Sequence, residues 1–142
     1  MKTVRQLLEL KDGEIWSIGP EASVYAAIEL MAEKRIGALM VLDQGRPLGI
    51  VSERDYARKV ILKGRASENT RVDEIMTRRV FHARPEHTLD ECMALMTDKN
   101  IRHLPVMDDE RLLGMLSLGD LVKAIIAEQQ FTIEELEHYI RG

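Results

Sequence analysis

The apolar positions of the chain follow two spacings, which predict alternating helices and strands. Short apolar runs at 38–42 and 104–107 precede a polar turn and a second apolar run, which is typical of paired strands. Helical patterns follow at 53–63 and 118–129. Four earlier residues fall at i, i+3, i+4 and i+7, the spacing of one helix face: Val24, Ala27, Ile28 and Met31.

Residues that start helices stand before these patterns. Ser23 precedes the first face, and Thr88-x-x-Glu91 has capping-box spacing before a second face that carries Cys92. Cys92 is therefore interpreted as a small core residue and not as a nucleophile. A short helix is predicted over 3–10, ended by the turn signal Asp12-Gly13. Capping-box spacing recurs at Thr132-x-x-Glu135, so a separate final helix is expected there, with a stripe that packs on the protein or forms a dimer contact: Ile133, Leu136 and Ile140.

The first half of this pattern occurs again sixty-five residues later. Leu48-Gly49-Ile50-Val51-Ser52-Glu53-Arg54-Asp55 matches Leu113-Gly114-Met115-Leu116-Ser117-Leu118-Gly119-Asp120, and the register holds without a gap from Pro20 to Val60. One β-α-β-β-α unit is therefore used twice, and neither copy is expected to bury its apolar face alone. We predict a first unit with the N-terminal helix over 1–66, a second unit over 67–128 and a C-terminal helix over 129–142.

Composition and charge narrow the classes of partner. The 20 basic and 24 acidic side chains give a net charge of −4, and no basic block occurs, so nucleic acid is disfavoured as a partner. The apolar runs are far shorter than the roughly 20 residues that cross a bilayer, so a membrane is not expected either. The start of the sequence does not resemble a signal peptide, and one cysteine cannot form an internal disulfide. A cytoplasmic location is expected.

The sequence lacks the usual patterns of catalysis. The four histidines do not have the spacing of a zinc-binding helix, and neither a Gly-x-Ser-x-Gly elbow nor a phosphate-binding glycine loop occurs. We therefore expect no catalytic residues, no metal site and no catalytic cofactor.

The repeated Ser-x-x-Asp has two interpretations. It is close to a capping box, in which Ser caps the helix and Asp reaches back to free amides. In the same geometry, amides at a helix start bind anions and a carboxylate accepts the hydroxyl protons of a ribose. Both can hold together, with Ser52 as the cap and Asp55 facing a ligand.

These motifs resemble a pair of cystathionine-β-synthase-type (CBS) domains, the tandem called a Bateman module. The resemblance rests on the doubled unit, the two G-[IM]-[VL]-S-x-x-D stretches and Ile101-Arg102-His103-Leu104-Pro105-Val106, and it covers about 7–126. It implies an α+β fold in which two units pack through their sheets about a pseudo-twofold axis. It also implies two clefts for an adenosine-containing ligand such as AMP, ADP, ATP, NAD(H) or, less expected, S-adenosylmethionine.

The resemblance assigns roles to residues of both repeats. Asp55 would hold the ribose beside Ser52 and Arg54, and Arg102 and His103 would reach the phosphates. The base would be framed by Ile36, Gly37 and Ala38. A second, weaker site is expected at Ser117 and Asp120, because Gly37 and Ala38 stand where the cations Arg102 and His103 stand in the other repeat.

The function implied is that of a regulatory module without catalysis of its own. It would bind an adenine nucleotide, form a homodimer through the helices that follow the Ser-x-x-Asp strands, and signal to a separate effector protein. The alternative is a dimerising scaffold that binds no ligand.

Overall fold

The computed structural model describes residues 2–11 and 15–141. The predicted turn at Asp12-Gly13 lies outside them. The chain divides into two compact units. The first-repeat unit comprises the described residues of 14–81, and the second-repeat unit those of 1–13 and 82–142.

The first-repeat unit contains a three-stranded sheet. Its elements are β1 (Ser17–Ile18), α2 (Val24–Lys34), β2 (Ala38–Asp43), β3 (Arg46–Ser52), α3 (Glu53–Tyr56) with a π-helical turn over Ala57–Ile61, and α4 (Val72–Ile75). β2 pairs in parallel with β1 and antiparallel with β3. The Ser23 hydroxyl caps α2 by accepting from the Ala26 amide, and Val24, Ala27 and Met31 are buried, which confirms the predicted face.

The second-repeat unit contains α1 (Val4–Leu10), α5 (Leu89–Lys99), β4 (His103–Asp108), β5 (Arg111–Ser117) and α6 (Leu118–Arg141). β4 and β5 pair antiparallel, with the register that β2 and β3 have in the other unit. The strand that would match β1 is reduced to one parallel bridge between Ala83 and Val106. The Thr88–Glu91 capping box forms, and Cys92 is 2% exposed in the core, as predicted. The α+β fold is confirmed.

The N-terminal helix packs with the second repeat, whereas the expectation grouped it with the first. Val4 and Leu7 of α1 lie in the core with Leu89 and Leu121, and the Val4 amide donates to the His87 carbonyl. α4, which precedes the second repeat in sequence, packs with the first, where Val72 and Ile75 join Val24. α1 thus completes the core of the second-repeat unit, and α4 completes the core of the first-repeat unit.

The predicted break between the last two helices is wrong. α6 runs without interruption from Leu118 to Arg141. The Thr132 hydroxyl donates to the Glu128 carbonyl one turn earlier, so it does not cap a new helix. Nothing between the two predicted helices breaks a helix, since the intervening Gln129-Gln130-Phe131 contains neither proline nor glycine.

Candidate functional site

The predicted residues of the first repeat meet where β2 begins and β3 ends. Ala38 stands opposite Ser52 in the strand register, and the Glu53 amide donates to the Gly37 carbonyl at 3.1 Å. The chain then turns directly into α3, which carries Arg54 and Asp55. The antiparallel pairing therefore brings the proposed base-framing backbone next to the Ser-x-x-Asp turn.

Ile36 and Gly37 also line a shallow cavity of about 300 Å³. Its wall includes Arg35, which ends α2 in the left-handed conformation with φ of 57°. Residues with a side chain rarely adopt this backbone conformation. Here it turns the chain sharply from α2 into β2. The remaining lining residues are Ile28, Met31, Ala32 and Glu53. The cavity combines an apolar floor with one charge of each sign.

Asp55 is buried and hydrogen-bonded through both carboxylate oxygens. Oδ2 accepts from the Ser52 amide at 3.0 Å and from the Ser52 hydroxyl at 3.1 Å. Oδ1 accepts from the Thr77 hydroxyl at 3.2 Å and lies 3.0 Å from the Lys59 ammonium. Two oxygens offer about four acceptor positions, and four donors use them. The capping-box interpretation of Ser52 and Asp55 is confirmed, and Asp55 is only 7% exposed.

The predicted residues of the second repeat converge in the same way. His103 stands opposite Ser117, and the Leu118 amide donates to the Arg102 carbonyl at 2.8 Å. Asp120 Oδ2 accepts from the Ser117 amide at 2.8 Å. Lys11, which no sequence motif singles out, donates from its ammonium to Asp120 Oδ2 and to the Met115 carbonyl, both at 2.7 Å.

Burial and neighbouring charges shift the pKa values of Asp120 and His103. Burial raises the pKa of Asp120, but the hydrogen bonds from Lys11 and Ser117 and the charge of Lys11 outweigh burial and hold the pKa below its usual range. Burial lowers the pKa of His103, and although nearby Asp120 opposes this, Arg102 and Lys11 add to it. At neutral pH His103 is therefore an uncharged hydrogen-bonding group, and Arg102 and Lys11 carry the positive charge.

The two carboxylates differ in accessibility. The side chain of Asp120 is 27% exposed, against 10% for that of Asp55. The Lys11 ammonium and the Ser117 amide both donate to Oδ2, and the Ser117 side chain also hydrogen-bonds to the carboxylate. The geometry thus ranks Asp120 as the more accessible carboxylate, whereas the sequence ranked Asp55 first. The predicted meeting of Arg102 and His103 with Asp55 joins residues of the two units and stays a prediction.

Each carboxylate is paired with a lysine from its own unit. Lys59 lies four residues after Asp55 on the same helical segment, a spacing that the sequence displays. Lys11 and Asp120 lie far apart in sequence, and no local pattern connects them. The repeat register places Met76 at the position of Lys11, next to Thr77, the other partner of Asp55.

The described residues contain neither a metal-binding cluster nor a membrane-spanning helix. Across 2–11 and 15–141, no group of three or more His, Cys, Asp or Glu side chains is arranged to hold a metal ion. Over the same residues, no helix has the length and apolarity needed to cross a membrane.

Comparison with protein families finds the CBS domain twice. The family model matches residues 8–62 and 72–127. A curated relative, the mitochondrial CBS domain-containing protein CBSX3 of Arabidopsis thaliana, is 41% identical over 125 residues, which cover 84% of this chain. The match spans only 61% of that relative's length.

Solved structures agree with the family match. A putative signal-transduction protein with CBS domains from Burkholderia ambifaria is 54% identical with a TM-score of 0.87, and the alignment covers 93% of this chain and 99% of that one. The CBS domain pair of protein MJ0100, solved with 5′-methylthioadenosine and S-adenosyl-L-methionine, has a TM-score of 0.78 over 89% of this chain and 98% of that one. At 23% identity, this second likeness concerns the fold alone.

Proposed function

We propose that this chain, which belongs to the CBS domain family and carries the domain twice, is a regulatory module that binds an adenosine-containing ligand and has no catalytic activity of its own. The ligand classes are AMP, ADP, ATP and NAD(H), with S-adenosylmethionine less expected. Residues of both repeats would contribute, as the family resemblance implies.

One observation supports this proposal most. In each unit a carboxylate stands at the Ser-x-x-Asp turn beside the backbone at the start of β2 or β4, and a lysine ammonium pairs with it. A ribose that binds Asp55 must replace a contact already present. The ion pair with Lys59 is the one that would break, because the Lys59 side chain is 43% exposed and its ammonium has a second partner in the Ile75 carbonyl at 2.8 Å. At Asp120 a ribose hydroxyl would meet a carboxylate whose side chain is 27% exposed, with Lys11 still paired to Oδ2.

The fold is compatible with such a ligand. A CBS pair of the same fold, that of MJ0100, holds two adenosine-containing compounds. Positive charge for phosphate groups is available from Arg102 and Lys11, since His103 is neutral at physiological pH. Arginine offers paired donors that suit phosphate oxygens. The proposed site residues are otherwise those predicted from the sequence, with Asp55 as the main carboxylate and Asp120 as the second.

A homodimer and a separate effector protein complete the proposal. The family resemblance suggests dimerisation through the helices that follow β3 and β5. The cytoplasmic location stays a prediction, and fractionation of the source cells is its direct test, because the name of the Arabidopsis relative places that protein in mitochondria.

A thermal-shift panel tests ligand binding. AMP, ADP, ATP, NAD⁺, NADH and S-adenosylmethionine are each added to the full chain, where a ligand at 100 times its dissociation constant adds about 2.7 kcal/mol of stability. The same panel is run on Asp55→Asn and Asp120→Asn, with each shift measured from that variant's own melting temperature. We expect the best ligand to lose its shift in Asp55→Asn and to keep more of it in Asp120→Asn.

Arg102→Ala should weaken binding of the same ligand. Arg111→Ala, which removes an exposed arginine at the start of β5, is the matched control. A thermal shift that persists in Asp55→Asn but is lost in Asp120→Asn would show that Asp120, and not Asp55, is the main carboxylate.

The rival function is a scaffold without a ligand. It is favoured by the three hydrogen bonds and the ion pair with Lys59 that together use the acceptor positions of Asp55. If no compound of the panel moves the melting temperature of the wild-type chain, the nucleotide proposal fails and the scaffold function replaces it.

A further inference from the structure

The second half of α6 exposes an apolar stripe that none of the described residues of its own unit covers. Leu121 and Ala124 bury the first turns of the helix in the core, whereas every residue from Gln129 to Arg141 is exposed. Phe131 and Leu136 expose more than half of their surface there. Large exposed apolar patches of this kind mark interaction surfaces.

The stripe has the period of a coiled coil. Six exposed positions recur at alternating intervals of four and three residues, and five of them are apolar: Val122, Ile126, Gln129, Ile133, Leu136 and Ile140. This spacing averages 3.5 residues and keeps one seam facing a neighbouring helix over the whole length. We call these six residues the α6 seam. The buried Leu121 and Ala124 face the core and do not belong to it.

The α6 seam is complementary to itself when two copies run antiparallel. With a twofold axis at residue 131, Val122 meets Ile140 of the second copy, Ile126 meets Leu136, and Gln129 meets Ile133. Every seam residue then has a seam partner, as a closed twofold interface requires.

Charge selects the antiparallel orientation. Lys123 and Glu137 flank the α6 seam on the same side, fourteen positions apart, and neither forms an ion pair with another described residue. In the antiparallel register Lys123 of one copy lies beside Glu137 of the other, and the twofold axis makes this pair twice. In a parallel coiled coil the flanking partners would instead be Leu118 and Thr132, neither of which carries a charge.

We propose that the α6 seam binds a second copy of this chain as an antiparallel two-helix coiled coil. The proposal concerns one surface of the homodimer proposed above, on the helix that follows β5, and therefore depends on that homodimer. It is independent of nucleotide binding, because the α6 seam contains none of the proposed ligand residues.

The first test disrupts the seam in the full chain. Sedimentation velocity over a concentration series should show a dimer for the wild type and a monomer for Ile133→Asp, because the charge would be buried at the centre of the seam. Glu135→Lys, on the opposite face of the same turn, is the control and should leave the dimer intact. Far-UV circular dichroism of both variants verifies that α6 remains helical.

The second test distinguishes an antiparallel from a parallel arrangement of the two α6 helices. Lys123→Glu and Glu137→Lys each turn two attractive pairs into two repulsive ones, which should raise the dimer dissociation constant roughly tenfold. Mixing these two variants restores opposite charges at both contacts, so the mixture should form heterodimers with about wild-type affinity. A parallel coiled coil predicts no effect of either substitution and no gain on mixing.

The outcomes separate the two proposals. A wild-type chain that is monomeric at every concentration contradicts both the homodimer and the seam. A dimer or larger assembly that persists in Ile133→Asp contradicts the seam alone. A seam-dependent dimer that ignores the charge substitutions contradicts the antiparallel orientation.

Discussion

Gly49 and Gly114 occupy the same position of the two repeats, but the structure predicts opposite responses to alanine. A Cβ at Gly49 would lie 2.5 Å from the backbone carbonyl oxygen of Thr77. A Cβ at Gly114 would lie 2.8 Å from Leu8 Cδ2, the end of a flexible side chain, with the other atoms near it at 3.7 Å or more. Leu8 can rotate away, whereas the Thr77 backbone cannot.

The expected cost of Gly49→Ala follows from what holds Thr77 in place. Ile50 and Thr77 exchange two backbone hydrogen bonds, of 3.0 and 2.8 Å, which a displaced Thr77 would lose. Each lost bond costs about 1 kcal/mol and overpacking about 1 to 3 kcal/mol, while the stiffer unfolded chain returns about 0.5 kcal/mol, so Gly49→Ala should cost about 2.5 to 4.5 kcal/mol. Gly114→Ala should change stability by less than about 1 kcal/mol.

Urea unfolding of both variants, monitored by circular dichroism, measures this difference. Thr77 also donates to Asp55, so Gly49→Ala should in addition reduce any ligand shift that depends on Asp55. Equal losses of stability in the two variants, or a larger loss in Gly114→Ala, would refute the assignment of the clash at Gly49 to a rigid backbone carbonyl.

Three further predictions concern single side chains. The pKa of His103 is lowered in the folded state, so the free energy of unfolding should fall as the pH drops below about 6.5. His103→Gln should reduce this dependence of stability on pH in unfolding experiments, and His138→Gln is the matched control. Burial raises the pKa of Cys92 to about 11, so a thiol reagent at neutral pH should react with it only in denaturant, and rapid labelling of the native chain would contradict its place in the core. Thr88→Ala should cost about 1 kcal/mol in urea unfolding through loss of the α5 cap, and an unchanged midpoint would argue against that cap.

Local signals in the sequence predicted the local structure well. The helical face from Val24 to Met31, the caps at Ser23 and Thr88 and the burial of Cys92 depend on neighbours within a few residues, and all were confirmed. The doubled Ser-x-x-Asp predicted its own hydrogen bonds for the same reason.

Features that depend on distant residues could not be predicted in this way. The repeat makes α1 and α4 equivalent in sequence, and it carries no information on which core each one completes. The pair of Lys11 and Asp120 follows from that packing, because α1 ends beside β5. The helix start predicted at Thr132 does not form, which shows that a capping pattern is effective only where the preceding chain is not already helical.

The packing of α1 has a consequence for synthesis on the ribosome. Val4 and Leu7 are translated before Leu89 and Leu121, the residues beside which they are buried. At about 5 to 20 residues per second, α1 waits roughly 5 to 20 s for these partners. During that interval the described strands and helices of the first-repeat unit are all available, so this unit should fold before α1 packs beside Leu89 and Leu121.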